Sequence, residues 1–210
     1  DLINAELLLE KAIKIDPNNF VVLNNFGNIH STRNKPAIAK KYFTKAIDIN
    51  PKYSKALFNL ALVNEEMGNI KNAIKLYKDA IKSDPKNIGF HYNLSRIDKA
   101  YFNEDNIKKI KKTLKKKNLS EFDKSSCFFI LAHDQKRKKN FEREFQYLSE
   151  AHKSFHSSSE KINNQVAFYW IRLIPKIIEN FNFSPKKSLL ENVKPIFIMG
   201  LPRSGSTLIE

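Results

Sequence analysis

The chain has 210 residues, of which 41% are hydrophobic, and its excess of lysine and arginine gives it a net charge of +15. No apolar run of about eighteen residues is present, so we predict no membrane-spanning helix. The single cysteine excludes an intramolecular disulfide. No secretory signal is visible in a sequence whose first residue is Asp1. We expect a cytoplasmic location.

Acidic or amide residues followed by proline recur along the first part of the chain at intervals of thirty-four residues. The three dipeptides are Asp16-Pro17, Asn50-Pro51 and Asp84-Pro85. This interval is the period of the tetratricopeptide repeat, a helix–turn–helix unit whose second helix ends at a proline. The sequence therefore predicts a mostly α-helical solenoid of tetratricopeptide type over residues 1–158, with its best repeats at 20–53 and 54–87.

The residues inside the two best repeats fit the packing pattern of this repeat family. The first repeat has Leu23, Phe26, Gly27, His30, Ala39, Phe43 and Ala46, and the second has Leu57, Leu60, Ala61, Ala73, Tyr77 and Ala80. We expect Gly27 with Ala46, and Ala61 with Ala80, to lie where two helices approach closely. Gly68 is typical of the turn between paired helices.

Segments outside the best repeats continue the pattern in weaker form. At the start, one helix fits the second half of a repeat through Ala5, Leu9, Ala12 and Pro17. Over residues 88–158 the repeats are degenerate, and the predicted helix pairs are Asn87–Ala100 with Glu104–Lys117, and Ser125–Lys136 with Phe141–His152. Ala132 and Ala151 repeat the nineteen-residue spacing of Gly27 and Ala46. We expect the serines at 157–159 to end the last helix.

The reactive side chains of this array favour structural roles. Cys127 lies in an apolar run, which favours a buried thiol over a nucleophile. The five histidines lack the spacing of a metal signature, and His30 falls at a packing position of a repeat. We therefore predict no metal site in this part of the chain.

A block of seven lysines between Lys108 and Lys117 concentrates positive charge on one predicted helix. Ile107, Ile110 and Leu114 share one face of that helix, so the lysines occupy the opposite, solvated face. The block has no arginine and no aromatic residue for base stacking. This composition disfavours a nucleic-acid partner and favours an acidic peptide.

The last part of the sequence differs in kind from the repeats. Residues 159–194 are predicted as a capping helix and a linker. Residues 195–210 follow as the apolar strand Ile196–Met199, a loop with Gly200 and Gly205, and the first turn of a helix. Unpaired backbone N–H groups at such a helix start bind phosphate. The sequence therefore predicts the first strand and phosphate loop of an α/β domain that is truncated.

The loop departs at one position from the nucleoside-triphosphatase pattern G-x-x-x-x-G-K-[ST]. Gly200, Gly205 and Thr207 match this pattern, but Ser206 replaces the lysine, and Arg203 is the only cation of the loop. Because that lysine neutralises β- and γ-phosphates, its loss favours a ligand with a less charged terminal group. A P-loop kinase or nucleotidase is an alternative that requires a lysine from beyond the last residue.

The segment 195–210 resembles the 5′-phosphosulfate-binding loop of sulfotransferases, especially the bacterial tetratricopeptide-linked group and the protein-tyrosine sulfotransferases. The matching residues are Gly200, Pro202, Arg203, Ser204, Gly205, Thr207 and Glu210, while Ser206 replaces a threonine. The resemblance implies a P-loop site for 3′-phosphoadenosine 5′-phosphosulfate (PAPS), with its 5′-phosphate on the backbone of Ser204–Thr207. It further implies that Arg203 is the catalytic residue, which contacts the transferring sulfonate and the leaving oxygen.

Two functions are consistent with these patterns. In the first, a longer parent protein transfers a sulfonate from PAPS to a hydroxyl, such as that of a protein tyrosine, without a metal. The repeats would then recruit a peptide, protein or glycan acceptor. In the second, the array is a non-catalytic scaffold for protein–protein interaction. We expect this chain to be a piece of a longer protein, cut at both ends, and to be inactive as a sulfotransferase on its own.

Overall fold

The computed structural model describes residues 2–158, and these residues form helices without any strand. The helices are α1 (Leu2–Ile15), α2 (Phe20–Thr32), α3 (Pro36–Ile49), α4 (Ser54–Glu66), α5 (Ile70–Ser83), α6 (Ile88–Ile97), α7 (Glu104–Leu114), α8 (Glu121–Arg137) and α9 (Phe141–Ser158). A short 3-10 helix, Lys99–Tyr101, lies between α6 and α7. None of these helices is long and apolar enough to cross a membrane. The predicted capping helix, linker, strand and phosphate loop lie outside the described residues.

The three Asp/Asn-Pro dipeptides form the same turn after α1, α3 and α5. In each turn a side-chain oxygen accepts a hydrogen bond from the backbone N–H two residues later, at 3.1–3.3 Å: Asp16 from Asn18, Asn50 from Lys52, and Asp84 from Lys86. The proline between them has no N–H with which to continue the helix. The predicted period is therefore confirmed in the backbone conformation.

A second kind of turn joins α2 to α3, α4 to α5 and α8 to α9. One residue of each turn has a positive φ: Asn34 (55°), Gly68 (77°) and Lys139 (57°). The next residue donates its N–H to the carbonyl five residues earlier, at 2.7–3.0 Å. This bond caps the first helix of each pair and reverses the chain. The turn predicted at Gly68 is confirmed, and so is the pairing of α8 with α9.

The buried clusters of the first repeats recur at the thirty-four-residue interval. One cluster contains Leu23, Ala46 and Ala56, and its counterpart contains Leu57, Ala80 and Phe90. A second contains Ala39, Phe43, Leu60 and Val63, and its counterpart contains Ala73, Tyr77, Leu94 and the partly buried Ile97. Each cluster joins residues of neighbouring repeats, which is how a solenoid forms a core from local contacts.

The small residues lie at close helix contacts, but their partners differ from those expected. A Cβ atom on Gly27 would lie 2.6 Å from Cε1 of Phe43, whereas Ala46 packs in the cluster of Leu23. The two helices are antiparallel, so a residue near the end of α2 faces one near the start of α3. The nineteen-residue spacing therefore marks equivalent positions in each repeat, and it does not mark contacting pairs.

The helices after α5 depart from the repeat geometry. α6 and α7 both end earlier than predicted, and α8 begins earlier. α6 and α7 contact each other little, and both pack on α8 instead. The predicted pairing of α6 with α7 is therefore wrong. The reason is a shared core, in which Tyr101, Ile110, Cys127 and Ile130 from these elements form one buried cluster with Tyr77.

The end of the last predicted helix is also different. α9 continues beyond the predicted end at His152 and includes Ser157 and Ser158. Ser159 lies outside the described residues, so the break predicted at these serines stays a prediction. The Ser157 hydroxyl donates to the carbonyl of Lys153 at 3.0 Å. A serine bonded to the preceding turn in this way is accommodated within a helix.

Candidate functional site

The one cysteine is placed as the sequence predicts. Cys127 is 0% exposed and lies in the core beneath α6 and α7. Burial, and to a lesser degree the charge of Asp123, raises the pKa of its thiol to about 12. Because the thiolate is the nucleophilic form, this side chain is chemically inert at neutral pH.

His30 is a packing residue, as predicted. It is 8% exposed, lies edge-on to the Phe26 ring with 4.7 Å between centroids, and stacks on Tyr42 at 5.8 Å. No group of three or more metal-binding side chains occurs among residues 2–158.

The lysine block forms the solvated face of α7 and the segment after it. Ile107 and Ile110 are 6% and 2% exposed, and all seven lysines between Lys108 and Lys117 are exposed. The prediction of an amphipathic helix is confirmed. The residues predicted to bind PAPS, Gly200 to Thr207 with Arg203 among them, lie outside the described residues, so their roles stay predictions.

A groove of about 420 Å³ lies between the first helices of successive repeats, α2, α4 and α6. We call it the asparagine groove, because its lining includes five asparagines: Asn24, Asn25, Asn28, Asn59 and Asn87. Lys55 is its single charged lining residue. Phe58 and Phe90 also line it, and their rings stack with 4.7 Å between centroids. The groove is therefore polar, nearly uncharged and partly aromatic.

Asn59 links two repeats at the centre of this groove. Its Nδ2 group donates to Oδ1 of Asn24 at 2.9 Å and to Oδ1 of Asn28 at 2.8 Å. Asn24 is 2% exposed and so is held in place, whereas Asn28 is exposed. Both N–H groups of the Asn59 amide are used by these bonds, which leaves its Oδ1 atom as an acceptor for a ligand.

The same helix position carries asparagine in three successive repeats. Asn25, Asn59 and Asn93 are thirty-four residues apart and lie on α2, α4 and α6. Asn25 is exposed, and the other two are half-buried. A side-chain amide offers the same donor and acceptor types as a peptide group. Asn25 and Asn59 line the groove and can therefore form hydrogen bonds with the backbone of an extended peptide. The Asn93 amide is bonded within α6 instead: it donates to the carbonyl of Gly89 at 2.9 Å and accepts from Arg96 at 3.3 Å.

These asparagines are not among the residues predicted from the sequence to be functional, although the sequence contains a signal for them. The predicted repeat positions are apolar or small residues, which describe how the helices pack. That signal is asparagine at the same helix position in three consecutive repeats, two of which, Asn25 and Asn59, line the groove. The bond from Asn59 to Asn24 has no such signal, because it joins helices of different repeats.

The family comparison supports the repeat assignment. The tetratricopeptide repeat model matches residues 8–41 and 42–75, two consecutive segments with the predicted thirty-four-residue length. The first matched segment begins inside α1, and neither segment includes the predicted phosphate loop. No curated relative matches this sequence.

Solved structures share the fold at low sequence identity. The crystal structure of MamA is 19% identical with a TM-score of 0.57, and the alignment covers 76% of this chain and 92% of MamA. The crystal structure of YrrB, a tetratricopeptide-repeat protein with an unusual peptide-binding site, is 16% identical with a TM-score of 0.52, covering 81% and 87% of the two chains. Such likeness shows the fold alone. Residues 8–75 therefore match the tetratricopeptide repeat, and the described residues share the fold of helical solenoids built from it.

Proposed function

We propose that the array is a protein-interaction module that binds an extended peptide in the asparagine groove. The observation that carries this proposal is the pair Asn25 and Asn59, which both line this groove at the same position of successive repeats, with Asn59 fixed by bonds to the preceding repeat. Tetratricopeptide repeats generally bind peptides or proteins, and the concave surface of a solenoid suits an extended ligand. The peptide-binding site of YrrB, a protein of the same fold, is consistent with this use.

The lining of the groove indicates what kind of peptide it would select. The asparagine amides bond to backbone groups, which every peptide has, so they contribute affinity and little sequence selection. Phe58 and Phe90 offer an apolar contact for one side chain of the ligand. Because Lys55 is the single charged lining residue, binding should depend only weakly on salt.

The test starts from a random peptide library, from which binders are selected on the purified chain. The variant Asn25→Ala/Asn59→Ala should bind the selected peptides with an affinity lowered by about tenfold or more. Tenfold corresponds to about 1.4 kcal/mol of binding free energy. The matched control Asn18→Ala/Asn118→Ala removes two amides outside the groove and should leave affinity unchanged. Fluorescence anisotropy measures both. If the two variants bind the peptides with equal affinity, Asn25 and Asn59 do not contribute to binding and the proposed site is wrong.

A second experiment separates backbone binding from side-chain binding. N-methylation of single amides in a selected peptide should abolish binding at those positions that face the asparagine row. Replacing the side chain at the same positions by alanine should have little effect, apart from the one residue that lies on the aromatic rings. The opposite pattern would mean that the groove binds side chains, and the role assigned to the amides would be wrong.

We also propose a catalytic function for a longer parent protein, in which this array precedes a sulfotransferase domain. The segment 195–210 favours it. In this loop Ser206 occupies the position of the lysine found in nucleoside triphosphatases, and Arg203 is the only cation. PAPS would be the donor and a hydroxyl, such as that of a peptide tyrosine held by the repeats, the acceptor. We also propose that this parent protein is located in the cytoplasm.

The catalytic proposal is tested on the full-length parent with PAPS and with ATP as alternative donors. Arg203→Ala should reduce sulfonate transfer by orders of magnitude, while Ser206→Thr, which keeps the hydroxyl, should be nearly neutral. Phosphoryl transfer from ATP without any from PAPS would favour a P-loop kinase instead. The present chain alone should show no transfer, and measurable turnover by it would contradict that expectation.

A further inference from the structure

A second groove lies on the other side of α4. It is about 860 Å³ in volume and lies between α3 and α5, with α4 at its base. On α4 the asparagine groove is lined by residues 55, 58 and 59, and the second groove by residues 57, 60 and 64. At about 100° per residue these two sets are centred roughly 180° apart around the helix. The two grooves therefore use opposite faces of α4.

The base of the second groove is apolar and closed. Leu57 and Leu60 line it from α4 and are 5% and 8% exposed. Ile47 on α3 and Leu76 on α5 are half-buried and continue the apolar surface towards its sides. No aromatic residue lines this groove. The surface therefore suits aliphatic side chains, and it lacks the rings on which nucleic-acid bases would stack.

The sides of the groove are basic. Its lining includes Lys40 on α3, Lys75 and Lys82 on α5, and Lys52 in the turn after α3. The one carboxylate that lines it, Asp79, is already paired with Lys82 at 3.2 Å. Three lysines are therefore uncompensated within the lining, and they come from both sides. We call this surface the lysine groove.

We propose that the lysine groove binds an acidic amphipathic helix of a partner protein. An apolar base with cations on both sides matches a helix whose apolar stripe is flanked by carboxylates on both sides. Leucine-type side chains of the partner would lie on Leu57, Leu60 and Leu76, and its carboxylates would pair with Lys40 and Lys75. This site is separate from the asparagine groove and does not depend on the function proposed for it.

The probe for this site is a synthetic helical peptide with leucine along one face and glutamate on both flanks. A scrambled peptide of the same composition is the control ligand, since it has the same charge and no apolar stripe. We expect saturable binding of the probe, weakened by added salt, and much weaker binding of the scrambled peptide. Absence of saturable binding, or equal binding of the two peptides, would overturn the proposal.

Two charge-reversed variants with the same change in net charge locate the binding. Lys40→Glu/Lys75→Glu places the charges in the groove, whereas Lys45→Glu/Lys71→Glu places them on exposed parts of the same two helices. The first variant should bind the probe peptide with an affinity lowered by about tenfold or more. The second should change the affinity for the probe by no more than about twofold. Equal weakening by both variants would show non-specific attraction to a basic protein and would overturn the proposal.

Two further measurements separate this site from the alternatives. The Asn25→Ala/Asn59→Ala variant should bind the acidic helix with unchanged affinity, because Asn59 lies on the opposite face of α4 and Asn25 lies on α2. Loss of binding in that variant would place the acidic helix in the asparagine groove and contradict the lysine-groove assignment. Tighter binding of single-stranded DNA than of the probe, lost in Lys40→Glu/Lys75→Glu, would identify a nucleic-acid site and would also overturn the proposal.

Discussion

The front half of the array, residues 20–83, and the rear half, residues 88–158, are held together in different ways. In the front half the clusters around Leu23 and Phe43 recur thirty-four residues later. In the rear half one larger cluster joins α6, the 3-10 helix, α7 and α8, and it takes in Ala61, Ala73 and the large ring of Tyr77 from the front half. Periodic packing therefore gives way to a single shared core, and Tyr77 is where the two meet.

The two halves should therefore respond differently to destabilising substitutions. In a periodic array each repeat contacts only its neighbours, so damage is expected to stay local. A shared core couples all of its helices, so damage should spread through them. The rear half also contains the half-buried His91 and His133, whose pKa values are lowered by burial, and this gives it a sensitivity to pH.

The largest expected effect comes from truncating the two equivalent rings, Phe43 and Tyr77. Both are almost completely buried, and replacing either by alanine should cost about 3–5 kcal/mol. Phe43→Ala should speed amide hydrogen exchange in α2, α3 and α4 and, through Leu76, in α5, but not in α6 or α8. Tyr77→Ala should speed exchange in α4 and α5 and also in α6 and α8, since its ring belongs to the shared core.

A control separates the ring of Tyr77 from its hydroxyl, which donates to Oε2 of Glu65 at 2.7 Å. Tyr77→Phe keeps the ring and should cost only about 0.5–1.5 kcal/mol. If Phe43→Ala and Tyr77→Ala loosen the same set of helices, then the two halves do not differ in the way described.

The hairpin turns should give smaller effects of opposite sign in the two halves. Gly68 in the front half has a φ of 77°, so Gly68→Ala forces a side chain into the left-handed region and should destabilise by about 1–2 kcal/mol. Lys139 in the rear half has a φ of 57°, so Lys139→Gly removes that strain and should stabilise by up to about 1 kcal/mol. Thermal unfolding followed by circular dichroism measures both, and the same sign for the two changes would contradict the shared turn geometry.

The smallest expected effect is a pH dependence confined to the rear half. Burial lowers the pKa of His91 and of His133, with further lowering of His133 by Lys136 and Arg96. The His91 ring also lies 3.0 Å from the hydroxyl of Tyr101 and 3.1 Å from the carbonyl of Pro85, which fits its neutral form.

The unfolded chain therefore binds more protons at these two sites than the folded chain. Their contribution to stability is fully present above the unfolded pKa of about 6.5 and is lost as the pH falls below it. Hydrogen exchange in α6 and α8 should rise as the pH drops from about 7.5 to about 5.5, relative to α2 and α3, after correction for the intrinsic exchange rate. His91→Gln/His133→Gln should remove this difference, and a difference that persists in the variant must come from other groups.

The front half could largely be predicted from the sequence, because a short period determines its local structure. The Asp/Asn-Pro turns, the turn at Gly68 and the burial of His30 all follow from residue types at fixed spacing. Cys127 and the lysine face of α7 follow from hydrophobic pattern alone. The phosphate loop with Arg203 is likewise a prediction from residue pattern, and it stays one.

The sequence by itself therefore determined the repeat period, the helix pairs of the front half and the row of Asn25, Asn59 and Asn93. Only the tertiary structure decided that Gly27 faces Phe43, that α6 and α7 pack on α8, and that α4 has a neutral groove on one face and a basic groove on the other. The physical reason is the range of the contacts. Turns and helix faces depend on residues a few positions apart, whereas grooves and shared cores depend on how whole helices are placed side by side.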